Sequence, residues 1–194
     1  MTGQALVVVD MQQVFGDPAS PWFTPRFSEA EAVIAGLLPA FGSRAVFTRF
    51  VAPERPEGAW ERYYEQWPFA LVPADDPLYD QVLAFRDTGH PVVTLPTFGK
   101  WGPALQEAIG DADELVLTGV STDCCVLSTA VAAADAGLRV LVVADGCAGI
   151  TDADHRRALD VMALYAPLIE IVSSSEVAGR RAQRGSVDRS ARDG

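Results

Sequence analysis

The sequence predicts an α/β protein with one parallel sheet covered by helices on each side. Short apolar, β-branched runs recur at 4–9, 44–50, 91–95, 114–120, 138–144 and 168–172. Segments with helical spacing lie between them, at 28–40, 75–88, 102–109, 122–136 and 151–165. Regular alternation of strand and helix is the pattern of a doubly wound parallel sheet. The chain has 194 residues, 49% of them hydrophobic, which is enough for one core and too few for two ordinary domains.

The six runs, QALVVV, RAVFTRF, PVVTL, ELVLTGV, LRVLVVA and LIEIV, are nearly continuous in apolar residues, so they read as strands buried on both faces. One connection departs from the pattern. Residues 51–74 are rich in proline and carry Trp60, Tyr63, Tyr64, Trp67 and Phe69 where a short strand-to-helix loop is expected. Such an insertion suits either a roof over a pocket or a subunit interface, and the sequence leaves both open. The end of the chain differs again: residues 180–194 hold five arginines against two aspartates, without hydrophobic periodicity. Residues 176–194 are therefore expected to form a polar, solvated tail, and residues 1–175 the folded domain.

The net charge of −11 argues against a nucleic-acid partner, because phosphate binding needs a concentrated positive surface. The apolar stretches fall far short of the roughly 20 residues of a membrane span, and the N-terminus lacks an export pattern. Three cysteines, two of them adjacent, make a poor disulfide framework, which fits a reducing cytoplasm. The expectation is a cytoplasmic protein that acts on a small molecule, away from membranes and nucleic acids.

Of the fifteen basic residues fourteen are arginine, and the only lysine is Lys100. An amine can lose its proton where a guanidinium does not, which makes a solitary lysine a candidate for chemistry. In open parallel sheets the ligand crevice lies beyond the carboxyl ends of the strands. Three ionisable residues fall there: Asp10 directly after the first strand, Lys100 in the loop after the third, and Cys125 at the start of the helix after the fourth. With Ser121 or Thr122 as N-cap, the first turn of that helix should depress the thiol pKa and offer backbone amides to an oxyanion. Cys124 and Cys125 point about 100° apart on a helix, so at most one faces the crevice. Geometry alone does not choose between them. Asp10, poorly solvated at the strand end, is placed to take the thiol proton and return it to a leaving amine.

The segments VVVDMQQVF, TFGKWGPAL and GVSTDCCVLSTAVAAADAGLRVLVVADGCAG, continued by TDADHRRAL, resemble the signature regions of the isochorismatase-like cysteine hydrolases. The resemblance covers most of residues 4–172. It implies a six-stranded parallel sheet of order 3-2-1-4-5-6, and an Asp, Lys and Cys triad that falls on Asp10, Lys100 and Cys125, selecting Cys125 over Cys124. It also implies a cis peptide between Val120 and Ser121 that turns the amides of Ser121 and Cys125 toward the oxyanion, and a homo-oligomer, dimer or tetramer. In many relatives the lysine directly follows the third strand, where this chain has Leu95, so either Lys100 reaches the site from farther along, which its being the only lysine favours, or the triad lacks its cation.

The reaction expected is cleavage of a carbon–nitrogen bond in a small amide, ureide or carbamoyl compound through a thioester, without cofactor. Arg49 and Arg55 are candidates for gripping a substrate carboxylate, and Phe15, Trp22, Phe23 and Trp101 for an apolar pocket. His90 and His155 lack ligand spacing, so no metal site is expected. The alternatives are vinyl-ether hydrolysis of an isochorismate-like substrate, which the family performs without a nucleophilic cysteine, and a non-catalytic binding or thiol redox protein.

Overall fold

The computed structural model describes residues 3–190, with side chains to residue 183. Six strands lie in the order β3-β2-β1-β4-β5-β6. They are β1 (Gly3–Val9), β2 (Ala45–Phe50), β3 (Val92–Leu95), β4 (Ala112–Val120), β5 (Arg139–Ala148) and β6 (Ile169–Val172), paired in parallel throughout. This is the doubly wound sheet and the strand order that the motifs imply. The helices are α1 (Gln13–Gly16), α2 (Phe27–Phe41), α3 (Ala59–Gln66), α4 (Pro103–Ile109), α5 (Leu127–Asp135), α6 (Asp152–Ala163) and α7 (Ser174–Ser190). Among the described residues no helix is long and apolar enough to cross a membrane.

Side chains alternate across the sheet and so feed two apolar layers. Leu6 and Val8 of β1 join Ile34, Leu37 and Phe41 of α2 on one side. Ala5, Val7 and Val9 join Leu105 of α4, Ala130 and Ala133 of α5, and Met162 of α6 on the other. Burial on both faces holds for β1 but fails for β3, where Val92 is exposed, because this short strand is an edge of the sheet.

Two further expectations need correction. The helix expected at 75–88 is only a 3-10 turn, Pro77–Tyr79. Tertiary partners capture the carbonyls that would extend it: Tyr79 O accepts from Gln12 Nε2 (2.7 Å) and Arg49 Nε (3.1 Å), and Asp80 O accepts from the amide of Gln13 (2.9 Å). The solvated tail is, through residue 183, a docked helix. Ser173 and Glu176 cap α7 reciprocally, Ser173 N donating to Glu176 Oε2 (2.7 Å) and Glu176 N to Ser173 Oγ (3.3 Å). Val177 is buried in the first layer, Arg180 pairs with Glu170 (3.2 Å), and the Arg181 guanidinium lies 3.9 Å over the Phe41 ring. The remainder of the expected tail, 191–194, lies outside the described residues.

Candidate active site

The strand order reverses between β1 and β4, and their register sets Val9 opposite Gly119. A side chain on Gly119 would run into the Val9 carbonyl, and its φ of +107° favours glycine, so this residue lets β4 close tightly on the end of β1. Asp10 follows with φ of 49°, a left-handed conformation that aspartate tolerates, and its carbonyl accepts from the amide of Gln12 (2.8 Å). The chain turns sharply there, leaving the carboxylate of Asp10 buried at the crevice.

Asp10 and Lys100 are both 0% exposed, and Lys100 Nζ stands 2.9 Å from Asp10 Oδ2. No well-aligned hydrogen bond reaches Oδ2, so charge holds this contact more than direction does. The other oxygen, Oδ1, accepts from the Thr48 hydroxyl at 2.6 Å, while Thr48 Oγ1 accepts from the Asp10 amide at 3.2 Å. Lys100 does reach the site from beyond Leu95: Nζ donates to Thr97 O (2.6 Å) and lies 5.1 Å from the centre of the Phe50 ring. Its backbone is tied to the cysteine helix through Thr129, whose Oγ1 accepts from Lys100 N (2.9 Å) and donates to Cys125 O (2.7 Å).

Cys125 is 3% exposed, and its thiol lies within reach of the charges of Asp10 and Lys100. The peptide between Val120 and Ser121 is cis. The helix start differs from expectation, because α5 is preceded by a π-helical turn, Thr122–Val126. Ser121 makes no side-chain cap bond, although its carbonyl accepts from the amides of Cys124 (3.2 Å) and Val126 (3.1 Å). Thr122 Oγ1 lies instead 2.9 Å from His155 Nδ1. The depressed thiol pKa is also overturned. Burial first, and then the Asp10 charge, push the Cys125 thiol well above its ordinary value, and Lys100 offsets this only in part. The raised pKa favours the thiol over the thiolate near neutral pH.

The isochorismatase domain model matches residues 4–176. The chain belongs to the isochorismatase family. Its fold matches a cysteine hydrolase from Pseudomonas syringae pv. phaseolicola 1448A with a TM-score of 0.82 at 20% identity, covering 93% of this chain and 92% of that one. An isochorismatase family protein from Desulfovibrio vulgaris subsp. vulgaris str. Hildenborough matches with 0.79 at 22% identity, covering 94% and 100%. An isochorismatase-like hydrolase from Alkaliphilus metalliredigens matches with 0.76 at 18%, covering 92% and 98%. No curated protein gives a match to the sequence.

In this isochorismatase-family hydrolase, aromatic side chains stand close to the reactive residues. Tyr63 of α3 lies near the two thiols; burial, then Tyr64, then Cys124 and Cys125 all push its phenol pKa up. Its ring packs against Trp60 (5.3 Å), Phe98 (5.7 Å) and Trp22 (6.0 Å), so the aromatic insertion covers the crevice. Of the residues expected to shape a pocket, Trp22 reaches this roof. Phe15 is buried behind it, stacked on Trp22 and edge-on to Phe50. Phe23 is half-buried and makes none of these ring contacts, and Trp101, like Phe98, packs against the second apolar layer. Arg49 donates from Nε to Tyr79 O and from Nη2 to Ala74 O, pinning the insertion. Arg55 is exposed. Among the described residues no group of His, Cys, Asp and Glu is arranged to hold a metal ion.

Thr48, Thr97, Thr129 and Phe98 were not singled out by sequence. Threonine carries no local mark of function: Thr48 and Thr129 act through Asp10 and Lys100, 38 and 29 positions away, and Thr97 only through its backbone carbonyl, three positions from Lys100. A surface hollow of about 270 Å³, lined by Ser43, Arg44, Glu107 and Asp111 among others, lies at the opposite, amino-terminal end of the sheet. It contains none of the reactive groups, so size is a poorer guide to the site than the convergence of Asp10, Lys100 and Cys125.

Proposed function

We propose that this protein hydrolyses a carbon–nitrogen bond in a small amide, ureide or carbamoyl substrate, with Cys125 as nucleophile. The observation that carries the reading is a buried carboxylate, Asp10, with an ammonium 2.9 Å away, close enough to the Cys125 thiol for both charges to act on it. In the first half-reaction Asp10 takes the thiol proton as sulfur bonds to the carbonyl carbon, and the carbonyl electron pair moves to oxygen. The amides of Ser121 and Cys125 receive that oxyanion. As the intermediate collapses, the C–N bond breaks and Asp10 gives its proton to the departing nitrogen. Water then attacks the thioester, Asp10 accepts one of its protons, and the acid leaves as sulfur recovers a proton from Asp10. Lys100, 2.9 Å from Asp10 Oδ2, offers its charge to the carboxylate between these transfers.

The test is a panel of small amides, ureides and carbamoyl compounds assayed for ammonia or amine release. At least one should be turned over, with the rate falling by about 1,000-fold or more in Cys125→Ala. Release that survives Cys125→Ala, or none from any member of the panel, overturns the reading.

A further inference from the structure

The turn that carries Cys125 is held in part from outside its own element. Ser121 O accepts from the amides of Cys124 (3.2 Å) and Val126 (3.1 Å), which fixes the widened turn on either side of the Cys125 amide. Its other contacts run to the start of α6. Asp123 Oδ1 accepts from the amide of Ile150 (3.1 Å), and Thr122 Oγ1 lies 2.9 Å from His155 Nδ1. Gly149 permits this approach, because a Cβ there would stand 2.8 Å from Asp123 Oδ1 and 2.9 Å from His155 N.

His155 is itself firmly placed. Its amide donates to Thr151 O (2.9 Å), and the Thr151 side chain caps α6 by accepting from Asp154 N (3.0 Å). On the same face of α6, Ala158 and Met162 are buried in the apolar layer that also holds Cys125 and Val126. Thr122 is 0% exposed. A hydroxyl buried in this way needs an acceptor for its proton, and an unprotonated Nδ1 supplies one. Burial first, and then the Arg26 charge, lower the His155 pKa; Arg156 adds to this, while Asp152 and Asp123 oppose it. The neutral ring is favoured, and with Nδ1 as acceptor its proton sits on Nε2.

We propose that His155 is a positioning residue for hydrolysis: by accepting from Thr122 it fixes where the amides of Ser121 and Cys125 stand, without itself touching the substrate. The use of those amides rests on the hydrolase reading above. Two reagents separate such positioning from mere support of the fold. With p-nitrophenyl acetate, sulfur bonds to the carbonyl carbon through a tetrahedral oxyanion, the thiol proton passes to Asp10, and nitrophenolate leaves with the C–O electron pair. With iodoacetamide, a C–S bond forms as iodide departs, and no charge develops on a carbonyl oxygen. Both reactions need the same sulfur deprotonated. The ratio of acylation to alkylation at Cys125, measured on the full chain by peptide mass spectrometry, therefore reports the oxyanion amides.

His155→Leu should slow acylation by at least about ten-fold and change alkylation by less than about three-fold. His155→Asn keeps an acceptor near the place of Nδ1 and should recover most of the ratio. Thr122→Val removes the other partner with a nearly isosteric side chain and should repeat the His155→Leu result, so the comparison survives a His155→Leu chain that does not fold. A ratio unchanged by these two substitutions, no recovery in His155→Asn, or failure of either reagent to label Cys125 in the unmodified protein would overturn the proposal. If the ratio falls as expected but no amide is hydrolysed, the positioning role stands and the hydrolase reading fails. Amide hydrolysis by Cys125 that His155→Leu leaves untouched would do the reverse.

Discussion

The two ends of the sheet handle charge in opposite ways. At the amino end, Arg139 bridges Glu114 (3.1 Å) and Glu170 (2.6 Å), and Arg180 adds a second contact to Glu170. Arg139 is 46% exposed there, so water shares its charge and the pairs stabilise only weakly. At the carboxyl end, Asp10 and Lys100 face each other with no exposure at all. Burying two charges costs several kcal/mol in lost hydration, and an apolar pair of the same size would often be as stable. The difference teaches that the first cluster serves the docking of α7, while the second is explained better by chemistry than by stability.

The largest expected effect that sharpens this contrast comes from breaking the buried pair. Lys100→Met should leave the Asp10 carboxylate enclosed without its cation and lower unfolding stability by about 3–5 kcal/mol in denaturant titration. A loss under about 1 kcal/mol would mean that water already reaches the pair.

Next comes the titration of Cys125. Its thiol is raised above the ordinary range chiefly by burial and then by the Asp10 charge. In the unmodified protein, alkylation of Cys125 should therefore climb with pH only above the usual thiol range. Asp10→Asn removes the repelling charge and keeps Lys100, so the titration should shift to lower pH and labelling at neutral pH should speed up, even as hydrolysis is lost. The sign for stability follows the same shift: a thiol whose folded pKa is raised contributes fully below its unfolded value, and that contribution is lost as pH rises through the folded one. An unchanged labelling profile in Asp10→Asn would show that the carboxylate does not act on the sulfur.

The smallest effect belongs to the amino end. Arg139→Met should cost no more than about 1 kcal/mol, and less at high salt, because the pairs it makes are largely solvated. A cost equal to that of Lys100→Met would erase the distinction between the two ends.

How much was legible differs by element. The strands were readable because sheets buried on two faces demand near-continuous apolar runs, and β1, β2 and β4 supply them. β3 kept its place but not its burial, since edge position is a property of the assembled sheet. The helix expected at 75–88 failed because Gln12 and Arg49, distant in sequence, take the carbonyl it needed. The docked α7 was missed although its local mark, Ser173 followed by Glu176, was present, because arginine-rich composition outweighed it.

The sequence by itself determined which side chains could react, through a lone lysine and an aspartate and a cysteine each just past a strand, and motif resemblance identified the family. Only the tertiary structure decided their reach and surroundings: whether Lys100 meets Asp10, whether burial raises the Cys125 thiol, and what the Arg49 guanidinium holds. The physical reason is that reactivity here depends on burial and on charges separated by many positions in the chain, and these fields exist only when the strands bring their carboxyl ends together.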